Sequence, residues 1–142
     1  MRVYLDNCCY NRPFDDQRQA SVQIETEAKK EIQRQMRAGS VEYVWSFMLS
    51  MEVARNPNLL CKFAISLWKD GAVFNVMPSV EIRIRAREIE AMGIKSADAI
   101  HLARAESADC DWFFTTDKGI LKKIRSLGMM RVANPVEYFI EG

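Results

Sequence analysis

The hydropathy pattern switches repeatedly between two periods along the chain, and that alternation is what most limits its fold. Five short runs rich in β-branched and aromatic residues read as strands: RVYL (2–5), EYVWS (42–46), AVFNVM (72–77), DWFFTT (111–116) and MMRVA (129–133). Between them the apolar spacing is helical. Ile24, Ala28, Ile32 and Met36 recur every four residues within 17–38, and Gly39 stands where a C-terminal cap belongs. A helix after the second strand carries Phe47, Met48, Met51 and Val53 until Asn56-Pro57-Asn58 breaks it. Residues 59–69 resume it, with Leu60, Ala64, Leu67 and Trp68 on one face and Gly71 closing. Ser79 and Gly93 bracket a further helix, Ser96 caps one running to about residue 105 or 108, and 118–127 is a short one ended by Gly128. Residues 7–16 (NCCYNRPFDD) carry turn chemistry and read as a loop. Strands that alternate with helices and are apolar on both faces predict a parallel sheet covered on both sides, a three-layer α/β/α sandwich of about five strands.

The 142 residues, about half of them apolar, suit one domain spanning 1–142 that folds without disulfides or a structural metal. No repeat or linker divides it. Lys and Arg total 20 and Asp and Glu 19, which excludes a strongly basic nucleic-acid binder. Four acids committed to cations would leave the remaining surface net basic, so a local basic patch fits. Cys8, Cys9, Cys61 and Cys110 lack a C-x-x-C spacing and read as small buried hydrophobes of a reducing compartment rather than a zinc site with His101. No apolar run approaches the roughly 18 residues of a membrane span, and the N-terminus runs straight into a strand. The expected location is cytoplasmic.

In open parallel sheets, functional groups gather beyond the carboxyl ends of the strands, near the switch in strand order. Acids occupy those places here. Asp6 follows the first strand and Asp117 the fourth, Glu52 lies on the helix after the second, and Asp98 falls in the first turn of the helix starting near Ser96. Each has a plainer reading alone: Asp98 as a favourable charge at a helix N-terminus, Asp117 as a cap, Glu52 as a solvated helix charge. Asp6, ending an interior strand, is hardest to dismiss. Four converging carboxylates repel by ~4 kcal/mol per close pair near a protein surface, and a divalent cation removes that repulsion. Oxygen-only ligands favour Mg²⁺ or Mn²⁺, one or two ions, which suits phosphodiester cleavage.

LDNCC at the first strand, S-x-x-x-x-x-E from Ser46 to Glu52, SADAIHLARA from Ser96, and DWFFTTDKGILKK together resemble the signatures of PIN-domain nucleases. The resemblance extends from Arg2 to about Phe139. It implies central parallel strands in the order 3-2-1-4-5 and Mg²⁺- or Mn²⁺-dependent cleavage of single-stranded RNA. It assigns Asp6, Glu52, Asp98 and Asp117 to the family's acidic quartet, with Asn7 and Thr116 as polar neighbours of the first and last acids. Many small members are toxins of toxin–antitoxin pairs, so an antitoxin partner and a homodimer are also implied. Gly119 stands where some relatives carry a further acid, which bears on a second metal ion.

Supporting roles fall to Ser46 at a strand end and to Lys118 and Lys122 beside Asp117, suited to phosphate contacts or to an ordinary solvated helix face. Arg12, with Asp15 and Asp16, belongs to the long loop and binds substrate or a second subunit, or simply folds the loop, the favoured reading. His101, one turn after Asp98, could orient it or touch RNA, but a helix-face histidine with ordinary hydrogen bonds is the favoured reading. Tyr10, Phe14 and Trp45 are candidates for base stacking, with core packing the default for Trp45. A non-catalytic PIN-like module binding nucleic acid or protein is the alternative, and retention of all four acids argues against it. A haloacid-dehalogenase-type phosphatase also begins with Asp after a strand, but needs a second Asp two residues on, where Cys8 stands.

Overall fold

All five predicted strands pair, and a sixth joins them. In the computed structural model, which describes residues 1–11 and 17–141, the strands are β1 (Arg2–Leu5), β2 (Glu42–Ser46), β3 (Phe74–Val76), β4 (Trp112–Phe114), β5 (Ser126–Leu127) and β6 (Met130–Ala133). They form one sheet in the order β3-β2-β1-β4-β6-β5. Every pairing is parallel except β5 with β6, a short antiparallel hairpin at one edge. The five expected strands, MMRVA being β6, keep the parallel order 3-2-1-4-5, but the sheet as a whole is mixed and six-stranded because β5 adds an antiparallel edge that was not expected. Residues 118–127 do not remain helical throughout, because the helix stops at Lys123 and Gly128, in the left-handed region at φ 61°, turns the chain back into the hairpin.

The helices are α1 (Asn7–Asn11), α2 (Ala20–Ala38), α3 (Phe47–Ala54), α4 (Leu59–Ser66), α5 (Val80–Glu90), α6 (Ser96–Ser107), α7 (Lys118–Lys123) and α8 (Pro135–Glu141). Gly39 caps α2 at φ 79°, as its position predicts. Ser46, Asn58, Ser79 and Asp117 each accept a backbone N–H at the start of their helices. Ser96 does not: it is the first helical residue of α6, after Lys95. The start of the expected loop is also different, since Asn7–Asn11 closes a short helix directly on Asp6, whose carbonyl accepts from Cys9 N at 2.9 Å. Arg12, Phe14, Asp15 and Asp16 lie outside the described residues.

Both faces of the sheet are covered. Trp112 and Phe114 of β4 meet Tyr138 of α8 at 5.5 and 5.9 Å between ring centres. Phe113, pointing the opposite way, stacks on Tyr4 at 5.3 Å, and Tyr4 meets His101 of α6. Val3, Tyr4 and Leu5 of β1 are fully buried, as expected of a central strand. The periodicity of α2 holds at Ala28, Ile32 and Met36 but fails at Ile24, which is 56% exposed. On α4 the inward residues are Cys61 and Ile65, followed by Trp68, whereas Leu60 and Leu67 face outward with Leu59 and Phe63. Among the described residues, no helix is long and apolar enough to cross a membrane.

Candidate metal centre at the carboxyl edge of the sheet

The strand order reverses between β1 and β4, and the cleft left there is where the acids collect. Asp6 stands at its floor, buried to 7% exposure, and its backbone N–H extends the β1–β4 ladder to Phe114 O at 2.9 Å. One Asp6 oxygen accepts from Asn7 N at 2.7 Å and the other from the Thr115 hydroxyl at 2.9 Å, with Cys8 Sγ 3.5 Å away. Burial raises the Asp6 carboxyl above the ordinary value; His101 and the Thr115 hydrogen bond oppose that, and Glu52 adds to it.

Glu52 reaches the same cleft from α3. Its Oε1 lies 2.7 Å from His101 Nε2, and Asp6, Glu52 and His101 each offer one donor atom within 4.8 Å of the others. Asp98 enters from the first turn of α6. Its carboxyl is pushed up to about 6 by burial, then by the charges of Asp6 and Asp117, with Glu52 adding a smaller push. The charges of Asp6, Asp117 and Glu52 thus all reach Asp98, while the atoms that meet at ligand spacing belong to Asp6, Glu52 and His101. Asp117 is the most exposed of them and has a second duty, its Oδ1 accepting from Gly119 N and Ile120 N to cap α7. The capping reading of Asp117 is thus correct, and it leaves Oδ2 for other use.

The supporting residues divide. Asn7 lies beside Asp6, and its Oδ1 is buried with no hydrogen-bond partner among the described residues. Ser46 is fully buried; it caps α3 through Leu49 N and touches the Tyr4 hydroxyl at 2.7 Å, so it faces the protein's interior. Thr116 gives its backbone N–H to Cys8 Sγ at 3.4 Å. The hydroxyl on Asp6 is that of Thr115, which also accepts from Asp117 N at 3.1 Å and so ties two of the acids together. Lys118 and Lys122 are exposed on α7. Tyr10 and Trp45 pack edge-on in the core and are no base-stacking platform.

Two residues of the centre escaped the sequence reading in their full role. Thr115 was one step from the expected Thr116, and strand alternation decides which of the pair turns toward Asp6. His101 was available in principle: it lies three residues after Asp98, on the same helix face.

These residues fit a divalent cation. The donor set is oxygen-rich, and Asn7 next to Asp6 carries a buried Oδ1 without a hydrogen-bond partner among the described residues. The Asp6 and Asp98 carboxyls are raised by burial first and by neighbouring negative charge in smaller part, which a cation relieves. Two hollows flank the cluster. A groove of about 420 Å³ runs from Glu52 past Asn7, Asn11, Arg55, Asn56 and Asn58, and a smaller recess is lined by Asp98, Asp117, Lys95 and Lys123.

Comparison with known proteins bears on the family and the fold. The PIN domain family model matches residues 25–126. No curated protein sequence matches the chain. Among solved structures, VapBC-1 from nontypeable Haemophilus influenzae is similar at a TM-score of 0.60 and 15% identity, covering 95% of this chain and 98% of that one. VapBC2 from Rickettsia felis, solved bound to a DNA fragment from their promoter, is similar at a TM-score of 0.57 and 12% identity, covering 94% and 98%. At such identities the likeness is one of fold. The match over residues 25–126 carries the assignment: this chain belongs to the PIN-domain family, and membership supports a nuclease role.

Proposed function

We propose that this chain is a divalent-metal-dependent endoribonuclease cleaving single-stranded RNA, with Asp6, Glu52, Asp98 and Asp117 as its acidic ligands, and that it is the toxin of a toxin–antitoxin pair. The observation that carries the reading is geometric: Asp6 and Glu52 bring carboxylate oxygens within 4.8 Å of each other, beside an Asp98 carboxyl raised to about 6 by burial and then by the charges of the other three acids. A site that concentrates unneutralised carboxylates at a sheet's switch point is built for a cation. Bound Mg²⁺ or Mn²⁺, as one or two ions, supplies activation of water and stabilisation of the departing oxygen in phosphodiester hydrolysis. The chain's own part is to hold the acids in place through the Thr115 hydroxyl, the Asn7 N–H and the α7 cap. The groove beside Glu52, lined by Asn7, Asn11, Asn56 and Asn58, offers amide groups to an RNA strand, and Lys118 and Lys122 offer charge to its phosphates. Arg12 belongs to the same proposal as a substrate contact.

The likeness in fold to the two VapBC structures supports the antitoxin partner. Outward-facing Leu59, Leu60 and Phe63, 66–82% exposed on α4, support a homodimer through that helix. A panel of single-stranded RNAs incubated with and without Mn²⁺ tests the activity. Cleavage should require the cation and vanish in Asp6→Asn; cleavage that persists in EDTA, or none across the panel, sinks the proposal. Co-expression with the product of a small adjoining gene should suppress the resulting growth arrest if the toxin reading is right.

A further inference from the structure

Glu52 differs from the other acids in how it is held. Asp6 is pinned by two donors and Asp117 by two helix N–H groups, whereas Glu52 stands on a helix with three side-chain torsions to fix. Among the described residues, its one hydrogen-bond partner is His101, at 2.7 Å from Nε2 to Oε1. His101 is 1% exposed, and its other nitrogen, Nδ1, meets the Tyr4 hydroxyl at 2.5 Å. Tyr4 in turn contacts Ser46 Oγ, itself fixed by Leu49 N. Ser46, Tyr4, His101 and Glu52 thus form one chain of contacts from the core to the acidic cleft.

The chemistry of these groups restricts the hydrogens. An ionised carboxylate only accepts, so Nε2 must carry a hydrogen to sit beside Glu52. Nδ1 then either accepts from the Tyr4 O–H or carries a second hydrogen and donates to it. In neither arrangement does His101 turn a lone pair toward a cation, although its Nε2 lies within ligand range of the cluster. We propose that His101 is a positioning residue: it aims the Glu52 carboxylate into the centre, its ring set by Tyr4 and Ser46, and it is not a nitrogen ligand. The inference rests on the metal-site reading above and adds to it a residue outside the acidic quartet.

The test is cation-dependent thermal stabilisation of the full chain without RNA, with Mn²⁺ and Mg²⁺ titrated separately, beside Mn²⁺-dependent RNA cleavage. His101→Leu should weaken apparent binding about tenfold to a hundredfold, as loss of an orienting partner does, and by the same factor for both cations. His101→Gln, which keeps an N–H donor, should recover part of the loss, and Tyr4→Phe should show a smaller one. A loss confined to Mn²⁺ would identify a nitrogen ligand and overturn the proposal, because nitrogen donors separate Mn²⁺ from Mg²⁺ and a carboxylate's position does not. Unchanged constants in His101→Leu would overturn it too, leaving a packed core histidine. Should His101→Leu not fold, the Gln and Tyr4→Phe variants carry the same comparison. If the unaltered chain shows neither stabilisation nor cleavage, the metal-site reading itself falls; if it shows both and His101→Leu matches it, only this inference falls.

Discussion

Asp117 serves two masters, and isosteric substitution separates them. Asn caps a helix as well as Asp does, so Asp117→Asn should keep the hydrogen bonds to Gly119 N and Ile120 N while losing charge at the centre. Chemical denaturation should find Asp117→Asn within about 0.5 kcal/mol of the unaltered chain and Asp117→Ala destabilised by about 1 kcal/mol. Both should lose cleavage, and equal stability losses would show that the cap is not what the contacts indicate. Asp98 makes a pH prediction. Its folded value, about 6, lies above the ordinary 3.8, so between those values the folded chain holds a proton that the unfolded chain has released. The contribution of Asp98 to stability must therefore fall as pH rises from about 4 to 6 and stay low above that. Thermal melts without metal should show the unaltered chain losing more stability than Asp98→Asn between pH 5 and pH 7, and saturating Mn²⁺ should narrow the gap. Parallel pH profiles for the two proteins would remove the electrostatic crowding on which the site reading depends.

Among the elements, α4 offers the sharpest contrast, since its two faces make opposite demands. Ile65 is 1% exposed and should cost about 2–5 kcal/mol when cut to Ala, whereas Leu60→Ala, at 82% exposure, should stay within about 0.5 kcal/mol in the monomer. Denaturation midpoints with an unchanged slope would check both. The same helix shows what the sequence could and could not disclose. Apolar residues on both faces of 59–69 signal a helix but do not say which face turns inward, and packing of Trp68 against Tyr43 settles it, at 5.8 Å between ring centres. The strands were readable because β1, β2 and β4 are buried on both faces and their apolar runs are continuous. The hairpin of β5 was not, since two residues carry no periodicity. The α1 helix was hidden because NCCYN combines turn formers with a contact, Cys9 Sγ to Phe114 O, that only the closed sheet creates. Of the centre, Asp6 and Asp117 stand out by their position directly after strands, and His101 by its place one turn after Asp98. The Thr115 contact is not legible, because it depends on which of two neighbouring threonines turns toward Asp6.

For the whole molecule, the proposed dimer predicts that Leu60→Glu combined with Phe63→Glu should halve the mass seen by light scattering while leaving the fold intact. A monomeric mass for the unaltered chain at micromolar concentration would leave α4 as an exposed apolar surface without a second copy; Trp68, buried within its own chain, takes no part in it. A last consequence follows from the order of the sheet. The middle strand, β1, leaves the ribosome well before its neighbour on one side, β4, which follows more than a hundred residues later, Val3 pairing with Trp112. Pairings so distant along the chain close slowly and late. Asp6 is made long before Asp117, and the Thr115 hydroxyl that steadies Asp6 arrives with β4. No nascent fragment ending before β4 can assemble the acidic cleft. A chain proposed to destroy RNA thus lacks the partner strand of its acidic cleft until β4 has been made, more than a hundred residues after β1.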